Sequence, residues 1–113
     1  MAIIRYYCGS NILETDGQRI REYCGKYLYE INGNIVRRYC GQNLYEINGD
    51  IIREYCGLNL LEVKNGIVRR YCGNNIAQID GQRIREYCGK YLYEINGFIS
   101  NRELMALIAI LFA

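Results

Sequence analysis

Ile20-Arg-Glu-Tyr-Cys-Gly-Lys-Tyr-Leu-Tyr-Glu-Ile-Asn-Gly33 returns letter for letter at residues 84–97, and degraded copies fill the chain between and before. A Cys-Gly pair at its centre recurs every sixteen residues, at Cys8, Cys24, Cys40, Cys56, Cys72 and Cys88. Each repeat holds two short runs and two turn signals. In the third, Ile35-Val-Arg-Arg-Tyr-Cys40 is the first run and Asn43-Leu-Tyr-Glu-Ile47 the second, with Gly41-Gln42 between them and Asn48-Gly49 after. Short runs rich in Ile, Val and Tyr and bounded by glycine read as strands. Asn-Gly fits a type I′ hairpin turn and Gly-X a type II′ turn. The pattern predicts an all-β meander of about twelve short antiparallel strands from six hairpin repeats.

Two-residue turns fix a register. With Gly41-Gln42 as the turn, Arg38 faces Tyr45, Arg37 faces Glu46 and Val36 faces Ile47. Alternation then puts Val36, Arg38, Cys40, Tyr45 and Ile47 on a core face, and Ile35, Arg37, Tyr39, Leu44 and Glu46 on a solvated one. The same register sets Arg5–Glu14, Arg21–Glu30, Arg37–Glu46, Arg53–Glu62 and Arg85–Glu94 opposite one another, with only Arg69–Gln78 breaking the series. The alternative is a β-solenoid of sixteen-residue coils. The alternating signs of Glu22, Arg38, Glu54, Arg70 and Glu86 would suit its direct stacking. In Glu62-Val-Lys-Asn-Gly66 the Asn-Gly falls one place late, which predicts a pairing slide of two and marks the following Asn74–Ile79 run as a weak point or bend. The first strand, residues 2–8, carries only Arg5 to blunt an exposed edge.

After Gly97 the period changes. Ser100-Asn-Arg-Glu103 is a capping box, and Leu104–Ala113 is apolar throughout. So short a run cannot span a membrane, which takes ~20 residues, and a helix apolar on every side must be buried. Such a helix covers only about four strands of a flat sheet. Either the sheet curls on itself or a second copy covers the rest. The expected organisation is therefore a repeat sheet over residues 1–97 and an apolar helix over residues 98–113, packed on the sheet or on a second copy. Leu104, Leu107, Ile108, Leu111 and Phe112 are its candidate interaction residues, and a homo-oligomer, most simply a dimer, is the expected state. An unknown protein partner is also compatible.

The chain has 113 residues, a formal net charge of +2, twelve tyrosines, and no histidine, proline or tryptophan. Its length fits one domain, and its charge points to no polyanion partner. The absence of histidine removes the usual neutral-pH base and the commonest metal ligand. No two cysteines have zinc-ligand spacing. In the meander successive cysteines lie ~9.6 Å apart, too far for a disulfide. They read as small buried spacers before tight turns. Asp16, Asp50 and Asp80 belong to turns, and no glycine-rich phosphate loop opens a helix. No catalytic residue, metal or cofactor is therefore assigned, and an enzyme is not expected. The first residues lack a signal-peptide pattern, which predicts a cytoplasmic protein with reduced thiols. One alternative function remains. Arg21, Tyr23, Arg37, Tyr39, Arg53, Tyr55, Arg85 and Tyr87 would line one sheet face, where bases of a single-stranded nucleic acid could stack.

The repeat Gly-x-Ile-x-Arg-x-Tyr-Cys-Gly-x-x-Leu-Tyr-Glu-Ile-Asn-Gly, over residues 2–97, resembles the short β-hairpin repeats of uncharacterised bacterial proteins. That resemblance implies a non-enzymatic structural or protein-interaction repeat module and no activity.

Overall fold

The computed structural model describes residues 1–113. Twelve strands follow in order: β1 (Ala2–Tyr6), β2 (Asn11–Thr15), β3 (Arg19–Glu22), β4 (Tyr27–Asn32), β5 (Ile35–Arg38), β6 (Asn43–Asn48), β7 (Ile51–Glu54), β8 (Asn59–Lys64), β9 (Ile67–Arg70), β10 (Asn75–Asp80), β11 (Arg83–Glu86) and β12 (Tyr91–Gly97). One helix, α1 (Asn101–Phe112), ends the chain. Every strand pairs antiparallel with its neighbours in sequence, and β1 also pairs with β12, so the meander closes into a barrel. Equivalent strands never stack on one another, which removes the solenoid. Closure also removes the exposed edge expected at β1.

The register departs from the one predicted. The segment after β5 is a four-residue loop, Tyr39–Gln42, and the pairs are Val36 with Tyr45 and Ile35 with Glu46. Leu44 is left over as a β-bulge, and Ile12, Leu28, Leu60, Ile76 and Leu92 occupy the same place in the other hairpins. The pairing has slid by two, so Val36, Tyr45 and Ile47 keep their predicted face. Arg38 and Cys40, expected on that face, are exposed, because the chain has already left the core there.

The other turn also differs in type. Gly33 has φ +65 and Asn34 follows it, so the turn residues are Gly-Asn and Asn32 pairs with Ile35. Only the first central residue is left-handed, which is type II′ rather than I′. The late Asn-Gly of the fourth repeat resolves in the same way. Asn65 and Gly66 have φ 54 and φ 76, a type I′ turn in the same two positions, and Lys64 still pairs with Ile67. The turn type changes and the register does not, so neither the slide nor the bend occurs.

The core is built in layers around the helix. Ile4, Ile20, Val36, Ile52, Val68 and Ile84, one from each repeat, are all fully buried. Each contributes about 1.5–3 kcal/mol by leaving water. Met105, Ala106, Leu107, Ile108 and Ala109 are buried too, in the same hydrophobic cluster. Five consecutive buried residues mean that α1 is enclosed on all sides, as its uniform apolarity requires. The sheet has curled round the helix, and the uncovered area expected for a second copy is enclosed within one chain. The result is a short, wide ring of 37 × 34 × 17 Å.

The helix runs from one end of the barrel to the other. Its start lies at the Gly-turn end, where Glu103 Oε2 accepts from the Gly17 amide at 3.0 Å. Its finish lies at the Cys-turn end, where Phe112 meets Tyr93 edge-on with centroids 6.5 Å apart. Ser100 and Glu103 form the predicted capping box. Glu103 is buried, which alone would favour its neutral form. The Ser100 amide and hydroxyl, the Gly17 amide and the nearby Thr15 hydroxyl outweigh this and hold its pKa below the ordinary value. Thr15 is fully buried where most repeats have an aliphatic residue, and its Oγ1 lacks a hydrogen-bond partner of good geometry.

Two outcomes follow for stability. A carboxylate with a lowered folded-state pKa stabilises above its unfolded pKa, and that contribution is lost as pH falls through the folded value. Glu103→Gln should therefore flatten the acid limb of a stability–pH curve below about pH 4.5, and Glu103→Ala should lose about 2 kcal/mol at neutral pH by removing the box and orphaning the Gly17 amide. At the seam, Gly97 has φ +100 and an added Cβ would lie 2.5 Å from the Met1 carbonyl oxygen. Gly97→Ala should cost at least ~2 kcal/mol in chemical denaturation, against about 1 kcal/mol for Gly33→Ala, which has open space around it.

Candidate functional site

Each Tyr-Cys-Gly turn is built the same way, and six of them ring one end of the barrel. In the third, the Gly41 amide donates to the Arg38 carbonyl at 2.9 Å and the Arg38 amide donates to the Gln42 carbonyl at 3.0 Å. Cys40 takes the left-handed conformation, φ 52, and the other five cysteines do the same at φ 53–54. Gly41 does not: it is glycine for space, since a Cβ there would lie 3.0 Å from Arg38 Cβ. All six thiols are free and exposed, which overturns their reading as buried spacers. The cysteine supplies the reversal and so projects into solvent.

Each turn is held by the hairpin before it. The Tyr39 amide donates to the Leu28 carbonyl at 2.9 Å and the Cys40 amide to Glu30 Oε1 at 3.2 Å. Glu30 also lies 3.9 Å from Arg37 Nε, and Arg37 Nη2 donates back to the Gly41 carbonyl at 2.8 Å. The arginine and the carboxylate thus grip the turn from both sides. The ion pairs are Arg21–Glu14, Arg37–Glu30, Arg53–Glu46 and Arg69–Glu62, at 3.6–3.9 Å. They run between repeats, not within them as predicted; one further pair, Arg83–Glu94 at 3.6 Å, lies within the sixth repeat. Arg5 completes the ring with Glu94 at 3.7 Å, across the β1–β12 seam. Gln78 faces Arg85 and still accepts from the Cys88 amide at 3.1 Å.

This arrangement bears on the residues proposed for nucleic acid. Arg21, Arg37 and Arg53 are each occupied by a glutamate, and Arg85 is spent on the Gly89 carbonyl at 2.7 Å. Tyr23, Tyr39, Tyr55 and Tyr87, with Tyr71, are 37–42% exposed on the rim beside the cysteines. A closed ring turns this face outward, so it is a convex belt and not a flat platform. Two aromatic clusters stand out on it. Arg19 lies over Tyr27 and Tyr39 at 5.3 and 5.8 Å, and Arg83 lies over Tyr91 and Tyr7 at 5.4 and 5.7 Å. The second cluster is the first carried four repeats on and through the seam. Sequence reading missed it because Tyr7 and Tyr91 meet only on closure. The helix residues lie elsewhere. Leu107 and Ile108 are fully buried, and Leu104, Leu111 and Phe112 are half-buried against the same core.

Inside the rim lies the barrel mouth, ringed by the last residues of β1, β3, β5, β7, β9 and β11: Tyr6, Glu22, Arg38, Glu54, Arg70 and Glu86. All are exposed. Tyr6 stacks on Tyr93 with centroids 5.9 Å apart. Burial, and then the neighbouring Tyr6, raise the pKa of Tyr93 above the ordinary tyrosine value. Ala113 opens into a shallow cleft with Tyr45, Glu54, Tyr55 and Cys56. No three acidic or thiol side chains come together as a metal site. No helix is long and apolar enough to cross a membrane. Comparison with protein-family models, curated proteins and solved structures returns no match to the chain. What is shown is the tandem-hairpin architecture itself.

The rim geometry has a direct chemical check. All six thiols should react with a thiol-specific reagent in the native protein, without denaturant; protection of any one would contradict the turn. Because an L-residue in the left-handed region costs ~1–2 kcal/mol, Cys56→Gly should be neutral or mildly stabilising. Cys56→Val should lose at least ~1–2 kcal/mol, since branching at Cβ worsens the fit.

Proposed function

We propose that this chain is a non-enzymatic protein-interaction module whose working surface is the tyrosine–cysteine end of the ring. One observation carries the reading: six equivalent turns present exposed tyrosine and cysteine at one end of a barrel whose interior is filled by its own helix. Repetition of an amphipathic aromatic at fixed spacing on a rigid frame is what a docking surface needs, because tyrosine buries much area with little entropy lost. The cysteines support it from another side. Glycine would fill the left-handed position at no steric cost, yet a side chain stands there in every repeat. Exposed free thiols fit a reducing compartment, and the cytoplasm is accordingly part of the proposal. Kinship with the bacterial short-hairpin-repeat proteins belongs to it as well, as does the interaction role that this resemblance implies.

The test uses tyrosines that stack on no other ring. With Tyr23→Ser, Tyr55→Ser and Tyr71→Ser combined, the melting curve should stay cooperative and a protein partner retained by the immobilised wild-type ring should be lost. Equal retention by both would remove the rim as the working surface. Binding of a labelled oligothymidine at low salt, weakening as salt rises, would instead favour the single-stranded nucleic-acid reading.

A further inference from the structure

The mouth holds charges that the chain itself leaves unused. Glu22, Arg38, Glu54, Arg70 and Glu86 take no part in any ion pair, although arginines and glutamates elsewhere in the same repeats do. Their side chains make no hydrogen bond within the chain either. Round the mouth their signs strictly alternate, with Tyr6 as the one uncharged position. Neighbours in this ring are separated by an intervening strand and so lie ~9.6 Å apart, far beyond ion-pair range. At that distance in water, attraction between unit charges is only about 0.4 kcal/mol. The alternation therefore stabilises a single ring very little.

It does make the mouth self-complementary. Turning a second ring over to face the first reverses the order of residues round it. In three of the six possible registers every charge then meets its opposite, except one glutamate of each ring, which meets Tyr6. In one of these, Arg38 faces Glu86, Glu54 faces Arg70 and Tyr6 faces Glu22, and two-fold symmetry repeats each pair. In the other three registers like meets like, as where Glu54 faces Glu54 and Arg38 faces Arg70. A ring of one sign would repel a copy of itself in every register.

We propose that the barrel mouth is the docking face for a second copy of this chain, bound mouth to mouth with a two-fold axis in the plane between the rings. Around the ion pairs, the six tyrosine–cysteine turns of each copy form the border of the contact. The proposal rests on the interaction-module reading and names its partner. It differs from assembly through α1, because the helix stays inside its own barrel.

Charge inversion separates this contact from any other. Glu22→Lys, Glu54→Lys and Glu86→Lys together make an all-positive mouth; Arg38→Glu and Arg70→Glu make an all-negative one. These side chains are exposed and unpaired, so both variants should melt like the wild type. In sedimentation velocity at low salt the wild type should run as a dimer that dissociates as salt rises. Each variant alone should run as a monomer, and an equimolar mixture of the two should run as a dimer again. A monomeric wild type, a mixture that stays monomeric, or variants that each dimerise unchanged would overturn the proposal. Of these, a monomeric wild type that still retains another protein through Tyr23, Tyr55 and Tyr71 removes only the second copy and leaves the interaction-module reading standing.

Discussion

The grip of one hairpin on the next hairpin's turn is the interaction on which the ring depends. Glu30 accepts the Cys40 amide and faces Arg37, while Arg37 donates to the Gly41 carbonyl. Half-exposed ion pairs of this kind are worth no more than ~1 kcal/mol each. Their value lies in what they specify. A left-handed cysteine is a costly conformation, and at Cys40, Cys56 and Cys88 side chains hold both its amide and the flanking glycine carbonyl. In all six turns the tyrosine amide donates to a carbonyl of the preceding hairpin, so every turn is completed by its neighbour. Such a chain has no natural last member. The first turn finds its neighbour only through closure, where the Tyr7 amide donates to the Leu92 carbonyl and Glu94 lies beside Arg5.

A single helix then breaks the symmetry that the repeats establish. The barrel is nearly six-fold, but α1 presents a different side chain in every direction. The inward positions are therefore where the repeats diverge. Leu13, Tyr29, Tyr45, Leu61, Ala77 and Tyr93 are equivalent in the barrel yet range from alanine to tyrosine, each filling what the helix leaves at its own azimuth. Thr15 stands where other repeats have Ile or Val, and it is the position met by the Glu103 carboxylate. On the outer wall, by contrast, Arg5, Arg21, Arg37, Arg53, Arg69 and Arg85 are invariant across the repeats because their surroundings are the same each time. Gln78 gives up the charge but keeps the hydrogen bond to the Cys88 amide.

The strands, their order and the helix cap were legible because they rest on local signals: period-two alternation, glycine at turns, and Ser100 with Glu103 three residues on. The inward face was legible at Ile20, Val36 and Ile52 even though the register was not, because a slide of two leaves each side chain on its own side. The register was hidden by the cysteine. A residue with a Cβ is not expected in the left-handed region, so Gly41 was credited with the turn that Cys40 makes. The bulge at Leu44 leaves no sequence mark, since leucine suits a bulge no better than a strand. Closure had left one signal that went unread. With pairing between repeats, Arg5 and Glu94 are the only members of the series without a partner, and they stand at opposite ends of the sheet.

The alternating ring was visible in the sequence, but it pointed to the wrong structure. Opposite signs at sixteen-residue spacing would be neighbours in a solenoid, so they argued for stacking coils. In the barrel, the intervening strand separates them and the attraction mostly vanishes. The pattern is then unexplained by anything inside the chain, while the outer Arg–Glu series is fully explained by the turns. Two sets of charges in one repeat thus divide by task. The set facing outward closes the ring, and the set lining the mouth is left for something outside it. A surface with one excess negative charge, whose signs alternate at the ring's own spacing, matches few partners in both period and sign, and another copy of the same ring is one of them.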